Sequence, residues 1–176
     1  MHASLIHWKS TSQYFQYRGY SIFYKVEGTG TPLLLLHGFP TSSWDWSPLW
    51  DVLKAKYQLV TLDFIGFGLS DKPHAYNYSL VDQANLVEHL LQRLGISRYH
   101  ILAHDIGDSI AQELLARQVD RQSATILSCC FLNGGLFPET HRPTRTQKLL
   151  LSPLGFLVSR LFNYRLFSKS FSIIFF

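Results

Sequence analysis

The period of apolar and polar positions changes several times along the chain, and those changes predict strands alternating with helices. Residues 14–27, YFQYRGYSIFYKVE, are rich in aromatic and β-branched types with partial alternation, and Gly19 divides them into two antiparallel strands. Gly28-Thr29-Gly30 reads as a turn. Pro32–Leu36 is an unbroken apolar run, the pattern of a strand covered on both faces. Residues 43–56 predict a short helix and Tyr57–Asp63 a second buried strand.

Ser79–Leu94 is the clearest helix. Leu80, Ala84, Val87, Leu90, Leu91 and Leu94 recur at helical spacing, Ser79 and Asp82 resemble a capping box, and Gly95 supplies the stop. Tyr99–Ala103 follows as a strand, Gly107–Gln118 as a helix and Ala124–Leu132 as a strand. The alternation implies an α/β fold with a doubly wound, mostly parallel sheet.

The character changes after Gly134-Gly135. Residues 137–148 are polar with two prolines, and 149–176 are apolar and aromatic with interspersed Arg and Lys. The expected organisation is a core over residues 1–135 and the start of a lid over 136–176. The apolar ending, Ser-Ile-Ile-Phe-Phe, is expected to be an interrupted element, although a terminal helix docked on the core would also account for it.

Composition narrows the classes. A chain of 176 residues suits one domain, and 47% apolar against 16% charged residues argues against disorder. The net charge of +4 is spread out, so no nucleic-acid partner is expected. Cys129 and Cys130 are adjacent and point to opposite faces of a strand, which argues against a bridge between them. There is no disulfide framework, secretory pattern or long apolar span, and the expectation is a cytoplasmic protein. Leu149–Phe162 comes nearest to a span, but Ser152, Pro153 and Arg160 interrupt it. No spacing suggests a metal, and no cofactor is expected.

The candidate chemistry lies at Ala103-His104-Asp105-Ile106-Gly107, between a strand and a helix. A nucleophile elbow needs small residues two before and two after its central residue, and Ala103 and Gly107 meet that need. Taken alone, Asp105 reads better as an ordinary helix N-cap. The second feature is His37-Gly38-Phe39-Pro40, directly after the Leu33–Leu36 run. Such a loop can bring the Phe39 N–H towards the elbow, where it and the Ile106 N–H would form an oxyanion hole. The third, Asp63–Pro73, has the Gly66-Phe67-Gly68 pattern after a strand but no third glycine or helix start, so dinucleotide binding is weak there.

Together these motifs resemble the α/β-hydrolase superfamily, and in particular its aspartate-nucleophile branch of epoxide hydrolases and haloalkane dehalogenases. Residues 103–115 (AHDIGDSIAQELL) with 133–143 (NGGLFPETHRP) are similar to the mesoderm-specific transcript group of hydrolase-like proteins. The resemblance implies that Asp105 attacks an electrophilic carbon and forms an alkyl or acyl ester, which a histidine-activated water then hydrolyses. His37, Gly38, Pro40, His104 and Gly107 would support the site. Dehalogenases of this branch hold halide with a Trp after the nucleophile and often an Asn in the HG-x-P loop. Ile106 and Phe39 stand there instead, which favours an epoxide- or ester-type, mostly apolar small-molecule substrate.

The branch also implies a late catalytic histidine. After Asp105 only His141 follows, and it does not occupy that position. His2, His7, His74, His89 and His100 read as surface or edge residues, and Tyr164 falls in the expected lid without an assignable role. The chain is therefore expected to be the N-terminal part of such a hydrolase, lacking the last strands and the base, with impaired or no turnover. The alternative is a non-catalytic α/β module that binds a small apolar ligand or a protein partner through the aromatic C-terminal segment. A membrane-surface role for that segment, through Arg160, Arg165 and Lys169, ranks lowest because its apolar residues are not segregated on one face.

Overall fold

The computed structural model describes residues 3–134, together with 148, 149, 152, 153 and 155. The chain divides into two compact units, Met1–Leu136 and Phe137–Phe176. The elements of the first are α1 (Ala3–Ser10), β1 (Gln13–Tyr17), β2 (Tyr20–Glu27), β3 (Pro32–Leu36) and, after a 3-10 turn at Ser43–Trp46, α2 (Ser47–Lys54). They continue with β4 (Gln58–Leu62), α3 (Leu80–Arg93), β5 (Tyr99–His104), α4 (Ile106–Asp120) and β6 (Ile126–Leu132).

The strands form one sheet in the order β1-β2-β4-β3-β5-β6. β1 and β2 run antiparallel to their neighbours, and β4, β3, β5 and β6 are parallel. β3 buries both of its faces. Leu34 and Leu36 join the core beneath α3 and α4, while Leu33 and Leu35 pack with Trp46, Trp50 and Trp8 on the other side. That two-sided burial is what the unbroken run of leucines requires.

Because β3 sits between β4 and β5, the chain leaves β3 on one side and returns on the other. The loops after β3 and β5 diverge from adjacent strand ends, and in an open α/β sheet such a switch point opens a crevice.

Several expectations change in detail. The helix over 43–56 is split, because Ser42 caps a short 3-10 turn and Pro48 sits in the first turn of α2. The capping box forms by half: the Asp82 N–H donates to Ser79 Oγ at 3.1 Å. The Asp82 carboxylate turns instead to the β1–β2 hairpin and the segment before α3. It accepts from Tyr17 Oη at 3.0 Å and from Tyr76 Oη, and pairs with Arg18 at 2.9 Å. Burial first, then the bond to Asp82, pushes the Tyr17 hydroxyl up to about 12.

The amino-terminal helix α1 has no counterpart in the sequence reading. It is held by Trp8, which packs edge-on against Trp50 at 4.7 Å and beneath the Lys25 ammonium at 5.1 Å. Among the described residues β6 pairs only with β5, and beyond Ile126 its side chains are half-buried or exposed. Cys129 and Cys130 on β6 are free thiols. Among the described residues no helix is long and apolar enough to cross a membrane, and no group of acidic, His or Cys side chains could hold a metal ion.

Candidate active site

Asp105 stands between β5 and α4 with φ 54 and ψ −113, a left-handed conformation that non-glycine residues rarely adopt. An ordinary N-cap has extended backbone and accepts from the second or third helical N–H. Asp105 does neither. Its Oδ1 accepts from the N–H of Ile106 at 2.7 Å and from the N–H of Phe39, across the crevice, at 2.8 Å. Among the described residues, Oδ2 takes no hydrogen bond.

Two glycines let the strand ends come this close. A Cβ on Gly107 would stand 2.6 Å from the Leu36 carbonyl oxygen and 2.9 Å from that of His37, so only glycine lets α4 start against the end of β3. A Cβ on Gly38 would stand 2.8 Å from the Asp105 Cβ and 2.7 Å from His104 Nδ1. The half-buried His104 ring therefore lies beside Gly38. Ala103, fully buried, meets the need for a small residue before the turn.

His37 is fully buried and both ring nitrogens are engaged. Nε2 accepts from the Phe64 N–H at 3.1 Å, which makes Nδ1 the protonated nitrogen, and Nδ1–H donates to the Gly38 carbonyl at 2.8 Å. Burial holds its pKa below the ordinary histidine value, against the opposing pull of Asp63. His37 thus ties the loop after β3 to the end of β4. Pro40 follows in the same loop, half-buried, and the Thr41 N–H closes a turn on the Gly38 carbonyl at 3.3 Å.

The segment after β4 is built around a different carboxylate. Asp63, 1% exposed, accepts from the Ser43 N–H at 2.8 Å and the Leu69 N–H at 2.6 Å, one on each oxygen. The glycine-rich stretch wraps inward onto Asp63, and a Cβ on Gly68 would stand 2.0 Å from Oδ2.

Asp108 and Gln83 escaped the sequence reading, and Asp63 entered it only as the start of a segment. Asp108, fully buried in the first turn of α4, accepts from the Leu132 N–H at 3.4 Å, and burial pushes its carboxyl up. Asp63 and Gln83 likewise bond to partners distant in sequence, and no local pattern announces them. His141 and Tyr164 lie outside the described residues. Among the described residues no histidine hydrogen-bonds to Asp105.

A cavity of about 620 Å³ opens beside this turn, lined by Phe39, Phe67, Tyr78, Leu80, Gln83 and Ile106 among others. Gly66 lets the Tyr78 ring lie close to the backbone, since a Cβ there would meet it at 2.7 Å.

The chain is 46% identical to the human mesoderm-specific transcript homolog protein, across 96% of this chain and 53% of that protein. It is 32% identical to haloalkane dehalogenase 2 of Mycobacterium tuberculosis, across 66% of this chain and 41% of that one. The solved structure of the epoxide hydrolase CorEH superposes with a TM-score of 0.65 at 26% identity, covering 80% of this chain and 49% of that one. The chain spans about half the length of the first of these relatives. The sequence profile of the alpha/beta hydrolase fold matches residues 31–153, and the chain belongs to the α/β-hydrolase family.

Proposed function

We propose that Asp105 is the nucleophile of an α/β-fold hydrolase acting on an epoxide- or ester-type, mostly apolar small molecule. The observation that carries this reading is the sharing of donors: both backbone N–H groups converge on Oδ1, and among the described residues Oδ2 is left unbonded. Oδ2 attacks an epoxide carbon and bonds to it as the carbon–oxygen bond breaks, and the departing oxygen takes a proton from water. Oδ1 becomes the carbonyl oxygen of the resulting ester. When water later adds to that ester, negative charge develops on Oδ1, where the Phe39 and Ile106 N–H groups already point.

Haloalkanes fit less well. Phe39 and Ile106 present no side-chain N–H to a leaving halide, although a relative is named a dehalogenase. Among the described residues no histidine bonds to Asp105, and the ester is the product the experiment looks for.

The experiment is to incubate the chain with styrene oxide and measure its intact mass, with Asp105→Ala as control. A gain of one reagent molecule on the unaltered chain alone, mapped to the peptide holding Asp105, is the expected result. Equal labelling of both proteins, or of neither, overturns the reading in favour of a non-catalytic binding module.

A further inference from the structure

Tyr99 opens β5, at the end of the strand away from Asp105, and is 6% exposed. Its side chain joins the core beneath α3 and α4. Among the described residues its hydroxyl makes no hydrogen bond, yet it keeps contact with solvent, unlike the sealed hydroxyl of Ser43. A nearly buried phenol ordinarily finds a partner for its O–H. Burial first, then the charge of Glu88, pushes this hydroxyl up to about 12, so at neutral pH it keeps its proton and can donate.

Tyr99 lines a cavity of about 610 Å³ between the C-terminal halves of α3 and α4, together with Leu91, Ile96, Leu114 and Gln118 among others. Glu88 and Arg121, whose charges the hydroxyl feels, line the same cavity, which sets the open side of the phenol there. Leu91 and Leu114 are buried and Ile96 half-buried, giving an apolar floor. Gln118 Oε1 accepts from the Ile126 N–H at 2.5 Å and from Thr125 Oγ1 at 3.1 Å, so the Nε2 hydrogens are left over as donors. Ile126 is the partner of Tyr99 in the sheet, which puts both donor residues at the same strand end. Glu88 and Arg121 pair with one another at 2.5 Å, so the lining carries no net charge. Spare donors over an apolar floor, without net charge, select a neutral acceptor.

We infer that this cavity is a ligand site separate from Asp105, and that it takes a small, mostly apolar molecule through a carbonyl oxygen accepting from the Tyr99 hydroxyl. The six residues of β5 set the two sites about 20 Å apart. A ligand without the acceptor leaves the phenol O–H unmet and is bound less well.

The test uses 4-phenylbutan-2-one and 2-methyl-4-phenylbut-1-ene, which exchange C=O for C=CH2 with little change of shape, titrated into the full chain and followed by NMR. The ratio of alkene to ketone dissociation constants is expected to fall about fivefold on Tyr99→Phe, which removes the hydroxyl alone. In the unaltered chain the ketone should shift the methyl resonances of Leu91 and Leu114, a readout that does not need the variant. A ratio unchanged by the substitution overturns the inference. So does a ketone that shifts the Leu80 and Ile106 methyls instead, or one bound more weakly than 3-phenylpropanoate, since charge would then decide. Asp105→Ala should bind the ketone as the unaltered chain does, and a loss of binding there would overturn the separation of the two sites.

Discussion

Asp63 and Asp105 each follow a parallel strand of the same sheet, and each accepts two backbone N–H groups. They differ in how those donors are shared. Asp63 takes one on each oxygen and is sealed from solvent at 1% exposure. Asp105 takes both on Oδ1, is only half-buried, and holds a backbone conformation that costs about 1–3 kcal/mol. A carboxylate with both oxygens engaged fastens loops together. One held by a single oxygen is positioned with the other available, and that asymmetry marks the candidate nucleophile.

The contrast predicts unequal consequences for substitution. The largest is at Asp63: Asp63→Ala leaves one buried and one half-buried N–H group unmet and is expected to cost about 3 kcal/mol in urea unfolding. A loss under about 1 kcal/mol would break the comparison by making Asp63 dispensable. Next comes Gly107→Ala, whose Cβ meets two backbone carbonyl oxygens that cannot step aside. The expected loss is about 2 kcal/mol, with styrene oxide labelling reduced as Phe39 and Asp105 are pushed apart. Labelling at the unaltered rate would show that the close approach is not needed.

Asp105 itself should behave in the opposite sense. Asp105→Gly relieves the left-handed strain and is expected to be about 1 kcal/mol more stable than Asp105→Ala, while neither takes up reagent. Equal melting curves for the two variants would deny that strain is stored there.

The smallest effect tests His37, which joins the two regions. Its folded pKa is depressed by burial, so the unfolded chain binds the extra proton and the stabilising contribution is lost as pH falls through the ordinary value near 6.5. From pH 7 to pH 6 the loss attributable to it is at most about 0.7 kcal/mol. Urea midpoints measured at both values should show a drift that His37→Gln diminishes; an undiminished drift assigns it elsewhere.

The parts legible in sequence were those whose cause is local. Pro32–Leu36 announced a two-faced strand, Leu80–Leu94 an amphipathic helix, and Ala103–Gly107 a turn crowded enough to demand small residues. Phe39 and Ile106 could be paired with Asp105 because the strand order brings those loop ends together. Asp63 was legible as part of a segment but not as its hub, since its donors, Ser43 and Leu69, come from both directions along the chain. Gln83 gave no sign, because its amide donates to the Ile65 carbonyl, a partner 18 positions away that only the folded chain brings near. Helix α1 was missed for a similar reason: Trp8 docks on Lys25 and Trp50, a contact made only in the folded chain.

The hydrogen bond from Phe39 to Asp105 spans 66 positions of sequence, and it exists only once β5 has slotted beside β3. A ribosome that has released the chain through Leu62 has already made β3 and its partner β4, with the opposite edge of β3 still open to any passing strand. Until Tyr99–His104 emerges, that edge is the exposed flank of the nascent protein, and the crevice has one wall. The order of synthesis therefore completes the scaffold of Asp63 before the site of Asp105, and between the two β3 waits with one edge unpaired.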